Sequence, residues 1–261
     1  MKRGLIATDF HSGNNWGLTS PKYMRDDLRD IQEKFWNWWV TQLNLYKPFD
    51  FGIFLGDMTD GEGKKGTLDT FITDMRKQVD NAEHCLEPTG IDPKKMYIAR
   101  GTPFHTNGAL EYEDKIADDL GCSIKDTQKL EVEGWKIHSR HVIGRSDIPY
   151  GQATPLLKEI SRLEHEAFRD NKSAPDIILR GHVHYECHVG KHGRLAADCP
   201  CLELPLSSAN GRRYSAWEYD VGFAVLTLEE GKQPIWQPVI MEIDLVHDSS
   251  YDKIDFSEVL K

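Results

Sequence analysis

The stretch Phe51-Gly52-Ile53-Phe54-Leu55-Gly56-Asp57-Met58-Thr59-Asp60-Gly61 constrains the fold of this chain more than any other. An apolar run of this length, broken by Gly-Asp and a polar turn, is the signal of a buried strand. The Asp57 carboxylate is then expected where the strand emerges, at the carboxyl end of a sheet. In open α/β sheets ligand sites collect at that end. A single Asp after a strand is ordinarily a cap or turn residue, so its meaning depends on what the other strand ends carry.

They carry similar groups. Gly4 to Thr8 is a short apolar run that ends in Asp9-Phe10-His11-Ser12-Gly13. Lys95 to Arg100 ends in Gly101-Thr102-Pro103-Phe104-His105-Thr106-Asn107-Gly108. Asp176 to Arg180 runs into Gly181-His182-Val183-His184. A strand pair around Glu133-Gly134, spanning Lys129 to Glu133 and Trp135 to Val142, brings His138 and His141.

Between these runs the apolar spacing is helical. Ser20 and Pro21 predict a helix start, and Leu28, Ile31, Phe35, Trp38 or Trp39, and Leu43 continue it to Lys47-Pro48. Trp36, Trp38 and Trp39 are expected in a helix-to-sheet core. Thr67 is expected to cap a second helix whose apolar face includes Leu68, Phe71, Ile72, Met75, Val79 and Leu86. The Gly-Lys-rich loop before it fails the phosphate-loop spacing, because Met58 stands where the first Gly is needed. A polar helical stretch reaches about Leu120, and Thr154 to Asp170 predicts a further helix. The later segments 222–228 and 235–245 read as strands. The alternation favours an α/β layer fold.

The net charge of −10 makes the chain a poor non-specific binder of nucleic acid or anionic membrane. No apolar run reaches the length of a membrane span, and the N-terminal apolar run meets Asp9 too soon for a signal peptide. A cytoplasmic protein without a membrane partner is expected. Five cysteines without a C-x-x-C pair are expected as free thiols.

Asp9, His11, Asp57, Asp60, His182 and His184, with His141 or His138, form a carboxylate and imidazole set without thiolate. Such a set suits Mn, Fe or Zn. It exceeds what one cation needs, which points to two metals with one carboxylate between them, an arrangement suited to phosphate ester hydrolysis.

The ordered motifs are Asp9-Phe10-His11, Gly56-Asp57-Met58-Thr59-Asp60, Gly101 to His105, His141 and Gly181-His182-Val183-His184. Their order and spacing resemble the calcineurin-like metallophosphoesterase family, in a phage-type variant with a Gly-Thr-Pro-x-His turn. The resemblance implies one domain over residues 1–261, an α/β sandwich of two mixed β-sheets flanked by helices in four layers. It implies a hydrolase in which two divalent metals activate a hydroxide. Asp9, His11, Asp57 and His184 would hold the first metal, Asp57 would bridge, and His141 and His182 would hold the second. His141 matches the strand-end His followed by a Gly turn better than His138 does. Asp60 would orient the turn or a ligating His from behind.

The family turn usually reads Gly-Asn-His and an acid. Here Thr102 stands in the Asn place, with Asn107 a substitute ligand, and His105 is shifted by two positions yet able to approach the leaving oxygen. A phosphate ester substrate is expected, a phosphodiester ahead of a monoester, with nucleic-acid-derived esters among the possibilities. The alternative is a non-catalytic metal-binding scaffold of the same fold with a weakened second metal site.

Overall fold

The computed structural model describes residues 1–61, 69–105, 112–146, 148–191, 193–205 and 219–243. Two mixed sheets form its centre. The first has the order β11-β10-β1-β2-β3-β4. Its strands are β1 (Lys2–Ala7), β2 (Phe51–Phe54), β3 (Met96–Ala99), β4 (Ser123–Lys125), β10 (Gly222–Leu228) and β11 (Ile235–Ile240). β1 to β4 run parallel, and β10 and β11 are antiparallel additions at one side. The second sheet has the order β5-β6-β7-β9-β8. It comprises β5 (Gln128–Val132), β6 (Trp135–Ser139), β7 (Ile177–Arg180), β8 (Cys187–Lys191) and β9 (Arg194–Asp198). β6, β7 and β9 are parallel, and β5 and β8 antiparallel.

The layers follow from side-chain alternation along each strand. Ile6, Ile53 and Leu55 face the second sheet and meet Ile137, Ile177, Leu179 and Ala197. Leu5, Ala7 and Phe54 face the other way. They pack on Phe35, Trp39 and Leu43 of α1 (Arg29–Tyr46), on Val79 and Ala82 of α2 (Met75–Leu86), and on Ile116 of α3 (Tyr112–Leu120). Ile178 and Ala196 leave the second sheet outward to meet Leu156, Ile160 and Leu163 of α4 (Ala153–Arg169). Helices, sheet, sheet and helix therefore stack in four layers. Trp39 is fully buried and meets Phe223 edge-on, with Trp38 beside them, as expected for a helix-to-sheet core.

Several boundaries differ from the sequence expectation. Ser20 does not open α1. Its backbone N–H and hydroxyl both donate to Asn81 Oδ1, at 2.9 and 2.8 Å, so the side chain is engaged by α2. α1 starts at Arg29 after Leu28, which offers no capping side chain. α2 starts at Met75, where Asp74 accepts the Arg76 N–H. Phe71 and Ile72 instead donate their N–H groups to the Gly13 carbonyl, and Thr67 lies outside the described residues. β6 stops at Ser139, which leaves His141 in the turn beyond it. β11 ends at Ile240. The short β4, with only three residues, carries too little pattern to be seen in the sequence. All five cysteines are free. Among the described residues no helix is long and apolar enough to cross a membrane.

One buried ion pair ties α4 to the strand that leads into Gly181 and His182. Arg180 is fully buried. Its guanidinium donates to Glu159 of α4 and to the carbonyls of His138 and Leu179, so it also joins β6 to β7. Burial pushes the Glu159 carboxyl up, but Arg162 and Arg180 outweigh it and hold it down at about 2. Glu159→Gln leaves the Arg180 charge buried and unneutralised, and should cost roughly 3–5 kcal/mol. The carboxyl is depressed in the folded state, so its stabilisation is present above about pH 4 and fades as pH falls toward 2. Denaturant unfolding across that window should show the loss in the wild type and a flatter profile in the variant.

Candidate metal centre

The polar residues after β1, β2, β6 and β7 converge because their backbones turn sharply. Asp9, His11, Asp57, His182 and His184 all have positive φ, between 45° and 75°. This left-handed region is unfavourable for residues with a Cβ and persists only where surrounding contacts enforce it. Here a ladder of backbone bonds does so. The N–H groups of Asp9, His11 and Ser12 donate to the carbonyls of Gly56, Asp57 and Met58, and the Gly181 N–H donates to His141. Asp9 Oδ2 accepts the Thr8 hydroxyl at 2.7 Å and the His182 N–H at 3.0 Å, joining the two sheets at the site.

The side chains then face one another. His184 Nε2 lies 3.2 Å from Asp9 Oδ1, and His11 Nε2 lies 3.8 Å from the same oxygen. His141 Nε2 lies 2.9 Å from Asp57 Oδ2 and 3.9 Å from Asp9 Oδ1. Three overlapping trios have their ligand atoms within 4.8 Å of one another: Asp9, His11 and His184; His11, Asp57 and His105; Asp57, His141 and His182. Asp57 belongs to two of them.

The outer ring nitrogens are held from behind. His141 Nδ1 lies 2.5 Å from the Leu55 carbonyl, and His105 Nδ1 lies 2.8 Å from the Asp60 carbonyl. A carbonyl only accepts, so both Nδ1 atoms carry the proton and the Nε2 positions face inward. His11 Nδ1 is 3.5 Å from Asp60 Oδ1, whose carboxylate also accepts from Asn14 and Thr70. Asp60 thus sits behind the cluster. Thr102 donates its N–H to Asp57 Oδ1 at 2.6 Å and brings its hydroxyl to 3.1 Å from both Asp57 oxygens. His105 packs its ring edge-on against His11, with Nε2 3.8 Å from Asp57 Oδ2.

His138 is not brought to this cluster. It pairs in register with Ile178 on the outer face of the second sheet and lines a cavity of about 350 Å³ with Leu163 and Ala167 of α4. Burial, then Arg180, lowers its imidazole to about 4. Asn107 lies outside the described residues. Two buried carboxylates at the site had no motif to mark them. Glu113 of α3 accepts the Met58 N–H at 3.0 Å and the Gly101 N–H at 2.7 Å. Glu203 places Oε2 3.3 Å from His184 Nδ1 and 4.0 Å from His11 Nε2. Neither belongs to a sequence pattern with metal-ligand spacing; only the fold makes them neighbours.

The donor set fits divalent cations. It combines carboxylate and imidazole without thiolate. Asp9 Oδ1, His11 Nε2 and His141 Nε2 are buried polar atoms with no hydrogen-bond partner. Leaving such groups unpaired is costly, and cations bound among the trios would relieve them.

No family model matches the sequence, and no curated protein matches it. Solved structures with a similar chain path include a novel archaeal phosphodiesterase, 11% identical, covering 92% of this chain and 99% of its own, with a TM-score of 0.47. Wild-type Vps29 with Zn²⁺ from Entamoeba histolytica is 12% identical, covering 91% and 98%, with a TM-score of 0.43. A predicted phosphoesterase from Streptococcus pneumoniae is 11% identical, with coverages of 91% and 98% and a TM-score of 0.39. With TM-scores below 0.5 these likenesses carry no functional weight.

Protons compete with cations at such a cluster. Burial pushes the His141 imidazole down, but Asp57 and Asp9 outweigh it and raise it to about 9. A raised pKa contributes stability that is complete below about pH 6.5 and is lost as pH rises through 9. Chelator-treated protein should therefore lose stability between these values. His141→Ala should remove that part of the pH dependence. Affinity for Mn²⁺ should rise over the same window, because the cation must displace the His141 proton. Unfolding curves and calorimetric titration between pH 6 and 10 measure both.

Proposed function

We propose that this protein is a metal-dependent phosphoesterase of the calcineurin-like kind. The observation that supports the reading is the convergence of Asp9, His11, Asp57, His141, His182 and His184 in two adjacent ligand trios, linked by a third that joins His11 and Asp57 with His105. In it, Asp9, His11, Asp57 and His184 hold one divalent cation, and Asp57, His141 and His182 hold the second, with Mn, Fe or Zn suited to the donors. Bound there, the cations would polarise a phosphoryl oxygen, activate a water and offset charge on the leaving oxygen.

The chain's own groups prepare that chemistry. Thr102 fixes the Asp57 carboxylate through its N–H and hydroxyl. Asp60 orients His105 by accepting its Nδ1–H at the backbone carbonyl and places its carboxylate 3.5 Å from His11 Nδ1. His105 turns Nε2 toward the cluster, and because Nδ1–H is bonded to the Asp60 carbonyl, a proton for a leaving oxygen would be the second one of the imidazolium form, on Nε2. The substrate is proposed to be a phosphodiester of modest size, nucleic-acid fragments among them. A chain with net charge −10 does not steer long duplexes toward itself. The second reading, a metal-binding scaffold without turnover, is favoured by one feature: the Thr102 hydroxyl is directed at Asp57.

The test is turnover of aryl phosphomonoesters and phosphodiesters by chelated protein reloaded with Mn²⁺. Absence of turnover with any divalent metal, despite stoichiometric metal binding, would establish the scaffold. In an active enzyme Asp57→Asn should abolish most metal binding and activity, since the reading gives Asp57 to both cations. Asp60→Asn should reduce activity less. Equal losses would show these roles to be wrong.

His105→Ala should keep both metals. It should lose about two to four orders of magnitude in kcat on an alkyl ester and much less on a nitrophenyl ester, whose leaving group needs little protonation. Loss of one metal equivalent would instead make His105 a ligand.

A further inference from the structure

The two ligand trios are backed differently, and the difference concerns a carboxylate outside both. Glu203 is 4% exposed. Among the described residues, the charged or chargeable side chains within ion-pair distance of it are His184 and His11. A buried carboxylate is costly unless its neighbours compensate for it. Here the neighbour is the Nδ1 edge of His184, whose Nε2 edge faces Asp9 Oδ1 on the opposite side of the ring. Asp9, His184 and Glu203 therefore form a line of carboxylate, imidazole and carboxylate.

The position of Glu203 is set by backbone, not by a loose side chain. The Leu202 N–H donates to the Thr8 and Asp9 carbonyls, Leu202 O accepts from Leu18, and the Leu204 N–H donates to Trp16. Glu203 itself bridges to Gly17. The segment is thus pinned between the turn that carries Asp9 and the loop after His11.

We infer that Glu203 is a positioning residue. With Oε2 3.3 Å from His184 Nδ1, its charge favours a proton on that nitrogen, so that the Nε2 lone pair is presented beside Asp9, and it makes the Asp9–His11–His184 side of the cluster the tighter cation site. The inference rests on the reading that the cluster binds metal. A carboxylate behind a ligating imidazole fixes its tautomer and raises its basicity. Asp60 stands in the same relation to His11 Nδ1. On the other side, the His141 Nδ1 faces the neutral Leu55 carbonyl, and the nearby Glu113 carboxyl is turned to the Met58 and Gly101 N–H groups. Two negative charges thus stand behind one side of the cluster, and the backing of His141 on the other side is uncharged.

The experiment is a calorimetric Mn²⁺ titration of chelated full-length protein, with melting of the metal-free form measured in parallel. The wild type should bind in two steps of different affinity. Glu203→Gln, which preserves shape and removes charge, should weaken the tighter step roughly ten- to a hundredfold and leave the weaker step unchanged. His141→Ala should do the reverse. The metal-free melting temperature of Glu203→Gln reports what the charge contributes to folding, whereas weakening confined to the tighter step marks a positioning role, since lost packing alone would not be confined to one site. Glu203→Asp, which keeps the charge but withdraws it by one methylene, should lie between the two and serves if the Gln variant does not fold.

An unchanged tighter step in Glu203→Gln would overturn the inference while leaving metal binding intact. Equal weakening of both steps would also overturn it. Absence of Mn²⁺ binding by the wild type would instead overturn the underlying metal reading and the inference with it.

Discussion

The site depends on the close approach of the turns that follow β2 and β3. A Cβ on Gly101 would stand 2.1 Å from Asp57 Oδ1, and one on Gly56 would stand 2.5 Å from Gly101 Cα. Neither position admits a side chain. Glu113 then spans both turns, accepting one backbone N–H from each. With the turns locked, Thr102 reaches Asp57, and the φ of 50° at Asp57 is enforced by its surroundings. The Asp57 carboxylate is thereby aimed before any ligand arrives, which is what preorganisation requires.

The same convergence creates an electrostatic problem. Asp9, Asp57, Asp60, Glu113 and Glu203 are buried near one another. Without cations, imidazoles carry the compensating charge. Burial would push the Asp9 carboxyl up, yet His184 and His141 hold it well below the ordinary range. Burial would lower His11, yet Glu203, Asp60 and Asp9 raise it. Glu113, which has backbone N–H partners and faces the Asp57 charge, is pushed up to about 7 by burial and by that charge. Protons and divalent cations are therefore alternative ways of neutralising one arrangement.

The two sheets divide the labour. The first contributes both trio carboxylates, Asp9 and Asp57, together with the His11 and His105 imidazoles, and the second contributes imidazoles alone, through His141, His182 and His184. Their hydrophobic faces fix the relative placement, and the Asp9 contact with the His182 N–H closes the seam at the site. The Arg180–Glu159 pair anchors the imidazole side to the outer helix. Ligand geometry is in this sense a consequence of core packing between layers.

Much of this was legible in the sequence because it is local. Apolar runs ending in Gly and acidic or imidazole residues define the strands and what each carries at its end, since strand burial and turn chemistry depend on neighbours in sequence. Helix starts were less legible. Ser20 has the chemistry of a cap, but a distant Asn81 takes its hydroxyl, and no local pattern reports that. The choice between His141 and His138 also needed the fold. β6 stops at Ser139, so strand alternation sends His138 toward α4 and the turn delivers His141 to Asp57. Glu113 and Glu203 lie far in sequence from the residues they support. The sequence by itself determined which strand ends bear the cluster-forming groups. Tertiary structure alone decided which carboxylates stand behind them, because that depends on long-range backbone pairing and on turns brought together by packing.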